Sequence, residues 1–196
     1  GSSQDTAIKQ RAVETALRLD SDLSEARAAL GNMKLHDWDW AGAEQQYRQA
    51  VALNPNDLAG HTGLCELFWR VGGVDESLAE CQIAQQLDPN EDHLSDVLVA
   101  RREYDRAIEV LRIVLKRRPD RGDYHYTLYV CYIGKGLQKE SVPELEQAAR
   151  LFRAPEIADD IHRAFAASGY RGAIAAWAKG LEHLAAAHAA FSPITL

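Results

Sequence analysis

The chain has 196 residues, of which 46% are hydrophobic and 26% are charged. This composition is typical of a folded domain with a buried core and excludes a disordered chain. Since no apolar run approaches the roughly 18–20 residues that a membrane-spanning helix needs, we expect no such helix.

The net charge of −7 is unevenly distributed along the chain. Residues 1–100 carry 7 basic and 17 acidic side chains, whereas residues 101–196 carry 15 basic and 12 acidic ones. An acidic chain disfavours nucleic acid as the main ligand, because phosphate-backbone binding needs a concentrated positive surface. Either a solvated helix face or a docking patch explains the one basic cluster: Arg101, Arg102, Arg106, Arg112, Lys116, Arg117, Arg118 and Arg121.

We interpret the start of the chain as residues added for expression, followed by one helix of an incomplete helix pair. Residues 1–4 are expected to be an expression scar and are left out of the fold argument. Residues 5–21 form a partial repeat, in which the stretch from Ala7 to Leu19 is predicted to be a second helix without its first.

Three helix endings that close on a proline, at Pro55, Pro89 and Pro119, follow one another in the middle of the chain. The first two are 34 residues apart, which is a known period for repeats of two antiparallel helices. The third follows after 30 residues, so its repeat is shortened by about one helical turn. The predicted repeats are 24–57, 58–91, 92–121, 122–153 and a degenerate 154–190, and residues 191–196 are expected to start a truncated further repeat.

Small residues recur where the two helices of each predicted pair would cross. Two helix axes can approach to 8–10 Å only where the side chains at the crossing are small, and proline ends a helix because it lacks the N–H donor. The first full repeat shows this pattern at Leu30, Gly31, Ala43, Tyr47, Ala50 and Pro55, and the second at Leu64, Cys65, Phe68, Ser77, Cys81, Ala84 and Pro89.

The three cysteines, Cys65, Cys81 and Cys131, are an odd number and lack the CxxC spacing of a metal or redox motif. Neither a disulfide framework nor a zinc site fits them well. We therefore expect free thiols that pack as small apolar side chains, in a reducing, cytoplasmic location.

The fourth repeat departs from the pattern at Tyr129, where a small residue is expected, and at Pro143. We expect its second helix to begin near Ser141, so that a capping box places Pro143 in the first turn. Beyond it, a helix beginning at Pro155 is predicted to be broken at Gly169 and followed by its partner.

These positions resemble the tetratricopeptide repeat family over roughly residues 5–190. The resemblance implies an all-α fold, an α–α superhelix of about eleven helices in antiparallel pairs, whose first helices line a concave groove. The string from His36 to Asn56 is similar to repeats that bacteria fuse to winged-helix regulators, adenylate cyclases or Ser/Thr kinases. That likeness implies a cytoplasmic regulatory arm of a larger signalling or transcription protein, so that this chain is a piece of it.

The groove implied by the resemblance would carry acids interleaved with apolar side chains. We interpret it as a binding site for a peptide with Lys or Arg and one apolar anchor, in which aromatic side chains supply affinity and acids specificity. A second interpretation is that the acids simply face solvent, and a third is homo-oligomerisation by end-to-end stacking of repeats. The predicted groove residues are Asn32, Leu35, Glu66, Trp69, Asp92, Asp96, Asp123, Tyr126 and Val130.

One known ligand of the family fits these residues poorly. Its chaperone-binding members clamp a C-terminal carboxylate with Lys and Asn, and only Asn32 matches that pattern. The corresponding positions Ala28, Thr62, Glu66 and Asp96 do not, which argues against an acidic peptide tail.

Catalytic and metal motifs are weak throughout the sequence. The Asp159–His162 pair has a D-x-x-H spacing without a matching pair, and His183 and His188 are five residues apart, which does not place them on one helix face. No glycine-rich phosphate loop, G-x-S-x-G or H-E-x-x-H motif is present. We therefore predict a protein that is not an enzyme and has no cofactor, while Trp38 is interpreted either as a packing residue or as a contact residue.

Overall fold

The computed structural model describes residues 3–191, and the surroundings of the side chains from residue 7 to residue 185. Residues 192–196 of the predicted truncated repeat and residues 1–2 of the predicted scar lie outside this described part. The helices are α1 (Ser3–Leu19), α2 (Ser24–His36), α3 (Trp40–Leu53), α4 (Leu58–Val71), α5 (Val74–Leu87), α6 (His93–Ala100), α7 (Tyr104–Leu115), α8 (Gly122–Gly134), α9 (Gln138–Leu151) and α10 (Pro155–Phe191).

The predicted all-α class is confirmed, since residues 3–191 contain helices and turns and no strand. Within α10, Gly169 has φ 67° and ψ −158°, so this long helix is two helices joined by a kink at the predicted break. None of the helices in the described range has the length and apolar character that crossing a lipid bilayer requires.

The chain divides into two compact units, unit 1 (Gly1–Ala100) and unit 2 (Arg101–Leu196). In unit 1, α2 pairs with α3 and α4 pairs with α5, and α4 also contacts α2, α3 and α6. In unit 2, α8 pairs with α9, which also contacts α10, and α7 packs on α8. These are the antiparallel pairs that the 34-residue period predicts.

The core of the first pair in unit 1 is built around Tyr47, which is fully buried. Its ring lies against two helices at glycines, because a Cβ added at Gly31 or Gly63 would lie 2.6 Å or 2.2 Å from ring carbons of Tyr47. The same cluster includes Leu35 and Leu64. Glycine therefore allows one tyrosine of α3 to fill the space between α2 and α4.

The prediction of three free thiols is wrong, because Cys65 and Cys81 form a disulfide. The two residues lie 34 positions after Gly31 and Tyr47, at the equivalent crossing of α4 and α5, where their Cα atoms are 5.1 Å apart. That distance lies within the range a disulfide spans. The odd number of cysteines was a poor guide, because Cys131 is buried in unit 2, away from this bond.

The predicted start of the second helix in the fourth repeat is also wrong. Helix α9 begins at Gln138 and contains Pro143 in its interior. Ser141 is fully buried as the small residue of this pair, and its hydroxyl donates to the carbonyl oxygen of Gln138 at 2.8 Å. The turn at Gly136, with φ 76°, sets the start of the helix, so the capping box does not form.

Candidate functional site

Helix α4 carries a row of polar and aromatic side chains in the middle of unit 1, between α2 and α6. Thr62, Glu66 and Trp69 follow one another at spacings of four and three residues, which places them on one helix face. Glu66 accepts hydrogen bonds from Arg70 at 3.0 Å and 2.5 Å. We define the α4 face as these side chains together with side chains of α2, of the connection before α6 and of α6 itself: Asn32, Thr62, Glu66, Trp69, Arg70, Glu91, Asp92, His93 and Asp96.

The α2 side of the α4 face is set by Tyr47. Its hydroxyl passes between the two glycines and donates to Oδ1 of Asn32 at 2.7 Å. Burial raises the pKa of Tyr47, and the negative charge of Glu66 raises it further. The phenol therefore stays protonated at neutral pH and holds the exposed Asn32 in one orientation.

The α6 side of the α4 face is an ion pair between Glu91 and His93. The hydrogen bond from His93 lowers the pKa of Glu91 to about 2, against the opposing effect of burial. The same bond raises the pKa of His93 above its usual value. Since Thr62 of α4 also donates to Glu91 at 3.1 Å, this pair ties α4 to the start of α6.

The ligand atoms of Glu91, Asp92 and His93 lie within 4.8 Å of one another, which is a spacing that a metal ion can use. The Oε1 atom of Glu91 already accepts from the Asp92 backbone N–H and from Nδ1 of His93, and Oε2 accepts from Thr62. A cation would have to break these hydrogen bonds. We therefore interpret the group as a closing contact of α6, which offers the ion no prepared site.

The predicted groove residues of unit 1 differ in exposure. Trp69 is 40% exposed, Asn32 and Asp96 are exposed, and Glu66 and Asp92 are half-buried. Leu35, however, is only 6% exposed and belongs to the core around Tyr47.

The prediction that Leu35 lines the groove is therefore wrong. It lies four residues after Gly31, which places it on the face of α2 that crosses α3.

Four members of the α4 face, Thr62, Arg70, Glu91 and His93, were not predicted as site residues. Arg70 follows Glu66 by four residues, a spacing that favours an ion pair and could have indicated it. Glu91 lies in the connection before the eight-residue α6, and His93 is the first residue of that helix. Because the third repeat is shortened there, its register could not be read from the proline spacing.

The other three predicted residues, Asp123, Tyr126 and Val130, lie on α8 in unit 2. Asp123 pairs with Arg121, which lowers the pKa of the carboxyl. Tyr126 is 39% exposed, and its ring centroid is 5.6 Å from that of Tyr129. Val130 is half-buried.

An aromatic cluster surrounds Tyr126 within unit 2. The Trp177 ring of α10 is 6.4 Å from Tyr126, and the hydroxyl of Tyr129 lies 3.4 Å from that of Tyr170. Burial raises the pKa of Tyr129, and the contact with Tyr170 adds to that effect. The large residue at the small position of the fourth repeat thus packs against α10.

Solved structures with a similar fold include a TPR protein. The protein YrrB, described as a TPR protein with an unusual peptide-binding site, has a TM-score of 0.65 and 19% identity, over 79% of this chain and 84% of that one. MamA from Desulfovibrio magneticus RS-1 has a TM-score of 0.67 and 18% identity, over 82% of this chain and 94% of that one. At these identities the likeness establishes the fold, and it agrees with the predicted α–α superhelix.

Two curated proteins show a similar sequence. Hsp70-Hsp90 organizing protein 3 of Arabidopsis thaliana is 23% identical over 146 residues, and Hsp70-Hsp90 organizing protein 1 of Glycine max is 25% identical over 146 residues. Each alignment covers 70% of this chain, which spans about a quarter of the length of these relatives. No protein-family model matches the chain.

Proposed function

Because the chain has the tetratricopeptide-repeat fold, we propose that it is a non-catalytic protein-interaction scaffold whose α4 face binds a peptide of a partner protein. The observation that carries this proposal is the half-exposed Trp69, one helical turn from Glu66 on the same face of α4. An aromatic side chain beside a carboxylate offers both an apolar contact and a charge. Interfaces commonly draw most of their binding energy from such aromatic residues.

The chemistry of the α4 face favours a basic ligand. Residues 1–100 contain 17 acidic and 7 basic side chains. Asp92 lies between Glu91 and His93, with its carboxylate 3.4 Å from Nδ1 of His93, and Asp96 follows on α6. A lysine or arginine of the peptide would meet Asp96 and would share Glu66 with Arg70 and Asp92 with His93, while an apolar residue would pack on Trp69. The acids would also speed association by attracting a positively charged peptide.

The same side chains disfavour an acidic peptide tail. Ala28 is fully buried and offers no side-chain donor, and the negative charge of Glu66 would repel a carboxylate. The names of the curated relatives therefore support a role in organising proteins, while the residues on α4 support a different peptide chemistry from the carboxylate clamp.

The wider setting of the chain remains a proposal that rests on the resemblance. We propose a single repeat domain over residues 5–190 and a regulatory role within a larger bacterial signalling or transcription protein. We propose a cytoplasmic location on the same resemblance. The free thiols that were expected to favour a reducing compartment do not support it, because Cys65 and Cys81 form a disulfide. The aromatic cluster at Tyr126 is proposed as a second peptide contact within unit 2.

The test is a peptide-array screen with the full chain, followed by calorimetric titration of a selected peptide. Replacing Trp69 with alanine is expected to weaken binding at least about tenfold, as loss of an aromatic anchor does. Ile83→Ala on α5 is the matched control, since Ile83 is similarly exposed, at 37%, and lies outside the α4 face. Equal affinity of the Trp69 variant and the parent, or equal loss in both variants, would reject the α4 face.

Homo-oligomerisation is the alternative function. Large apolar side chains are exposed at Ile8 and Leu19 of α1 and at Leu181 and Leu184 of α10. Sedimentation at several concentrations separates the two functions. A strict monomer that binds peptides supports the α4 face, whereas a dimer that Trp177→Ala dissociates supports assembly through repeats.

A further inference from the structure

Several connections between successive helices contain one residue with a left-handed backbone. In the α4–α5 and α8–α9 connections this residue is glycine, Gly72 with φ 85° and Gly136 with φ 76°. In the α2–α3 connection it is Trp38, with φ 63°, and in the α6–α7 connection it is Arg102, with φ 60°. Glycine adopts this conformation without steric cost, whereas a bulky side chain does not.

The end of α2 imposes the conformation on Trp38. The backbone N–H of Asp39 donates to the carbonyl oxygen of Lys34 at 2.9 Å, and that of Trp38 donates to Leu35 at 3.2 Å. These hydrogen bonds form a helix C-terminal cap, in which the residue with the left-handed backbone is usually glycine. The backbone therefore gives no reason for tryptophan at this place.

The packing of the Trp38 side chain does not explain the tryptophan either. The Trp38 side chain is 70% exposed, and its described ring contact is an edge-to-face one with Trp40, at 5.5 Å between centroids and 69° between planes. A bulky residue that is both strained and exposed is the kind of outlier that points to function.

The charge next to the exposed indole indicates what it would bind. Asp37 precedes Trp38 and is exposed, and its carboxylate makes no ion pair within the described part of the chain. Asp39, by contrast, is already engaged by Lys34 at 2.7 Å and by the backbone N–H of Gly42 at 2.9 Å. The turn therefore presents an exposed indole and, at the preceding residue, an exposed carboxylate that is not engaged in an ion pair with any described residue.

We propose that the α2–α3 turn is a further contact surface, separate from the α4 face and from the aromatic cluster at Tyr126, where Trp38 and Asp37 bind an arginine side chain of a partner protein. A guanidinium group stacks on an indole ring and can donate hydrogen bonds to a neighbouring carboxylate at the same time. An ammonium group lacks the planar shape for this stacking. The surface goes beyond the proposed peptide site, because it uses none of the residues of the α4 face.

The experiment follows the indole N–H signals of the full chain by NMR, since its four tryptophans give four signals. The probe is acetyl-Gly-Arg-Gly-amide. One control is the same peptide with citrulline, which keeps the shape of arginine without its charge, and the other is the same peptide with lysine, which keeps the charge without the planar group. We expect the Trp38 signal to shift saturably with the arginine peptide and much less with citrulline. Asp37→Asn should weaken this binding at least about threefold.

Trp38→Gly assigns the signal and tests the packing interpretation at the same time. Because glycine is the residue that the turn favours, its Tm should stay within about 2 °C of the parent or rise. Arg102→Gly is the control for the same backbone change, and it should leave the arginine-dependent shift of Trp38 unchanged.

The proposal is overturned if the Trp38 signal does not move, if citrulline or lysine peptides bind equally well, or if Trp38→Gly lowers the Tm by more than about 4 °C. That last result would make Trp38 a packing residue. The Trp69 signal reports separately on the α4 face, so failure at one surface is distinguishable from failure at the other.

Discussion

At the scale of single residues, the α4 face depends on two glycines that let Tyr47 pass between α2 and α4. A methyl group at Gly63 would lie 2.2 Å from a ring carbon of Tyr47, which is fully buried and has no room to move aside. Position 63 therefore requires glycine, because the Tyr47 ring lies so close to its backbone. The orientation of Asn32 depends on this packing, since Tyr47 donates to its side chain.

Gly63→Ala is expected to destabilise the chain by about 1–3 kcal/mol, the usual range for an overpacked core. Thermal unfolding followed by circular dichroism measures this as a Tm several degrees lower. The control is Gly73→Ala, where the nearest atom to the new methyl group is the flexible Glu76 carboxylate at 3.2 Å. Equal Tm values for the two variants would contradict the packing described for Tyr47.

The Glu91–His93 pair predicts a pH dependence of stability. The pKa of Glu91 falls from 4.5 to about 2 on folding, so its contribution is present above 4.5 and is lost as the pH falls toward 2. The pKa of His93 is raised from 6.5, so its contribution is present below 6.5 and is lost as the pH rises through the raised value.

The Tm difference between the parent and Glu91→Gln should therefore be largest near pH 5.5 and smaller at pH 3 and pH 9. Differential scanning calorimetry at the three pH values measures it. Glu140→Gln, at an exposed position on α9, should show no such maximum. A difference for Glu91→Gln that is constant across the pH range would mean that the ion pair does not form.

Exposure of single side chains could be predicted only in part. Trp69 and Leu35 were both placed in the groove by the spacing of the first helices, yet one is exposed and the other is buried in the core. The spacing defines a face to within about one residue, and Leu35 lies at the edge where that face meets α3. The ion pairs of Glu66 and Glu91 depend on side-chain contacts that periodicity does not describe.

At the scale of elements, the proline endings and small crossing residues were sufficient to predict the α2–α3 and α4–α5 pairs. Pro55 and Pro89 follow the ends of α3 and α5 at equivalent places, and Ala43 and Ser77 are fully buried at the crossings. The start of α9 was misplaced because the capping motif at Ser141 is a local signal. The left-handed turn at Gly136 and the burial of Ser141 outweigh it.

The disulfide between α4 and α5 is expected to be a main contribution to the stability of unit 1. It closes a loop with a sequence separation of 16, and a loop of that size is worth about 3 kcal/mol through chain entropy. The Cys65→Ala/Cys81→Ala double variant should therefore lose about 2–4 kcal/mol in urea unfolding.

Reducing agent should lower the unfolding midpoint of the parent and leave that of the double variant unchanged. Cys131→Ala, which retains the bond, is the control and should remain sensitive to reductant. A parent chain that responds to reductant no more than the double variant would show that Cys65 and Cys81 are thiols in solution.

At the scale of the whole molecule, the two compact units raise the question of how many parts unfold independently. The boundary between them falls inside the predicted third repeat, between α6 and α7. Stacked repeats gain their stability from contacts with their neighbours, so a continuous array unfolds with coupled repeats.

A single repeat domain over residues 5–190 is expected to give one calorimetric transition. Hydrogen exchange measured along the chain should then show protection that changes gradually through residue 100. Two resolved transitions, with exchange rates that change sharply at that residue, would instead make the units separate domains.

The central claim is that the α4 face holds a basic peptide, and the most direct measurement locates the bound peptide on the protein. A peptide selected on the array is made with a benzophenone at its apolar anchor, cross-linked to the full chain by light, and mapped by mass spectrometry. We predict cross-links at Trp69 and at neighbouring exposed positions of α2, α4 and α6. Cross-links confined to the outer positions of α3 and α5, such as Gln45 and Ile83, would contradict the claim.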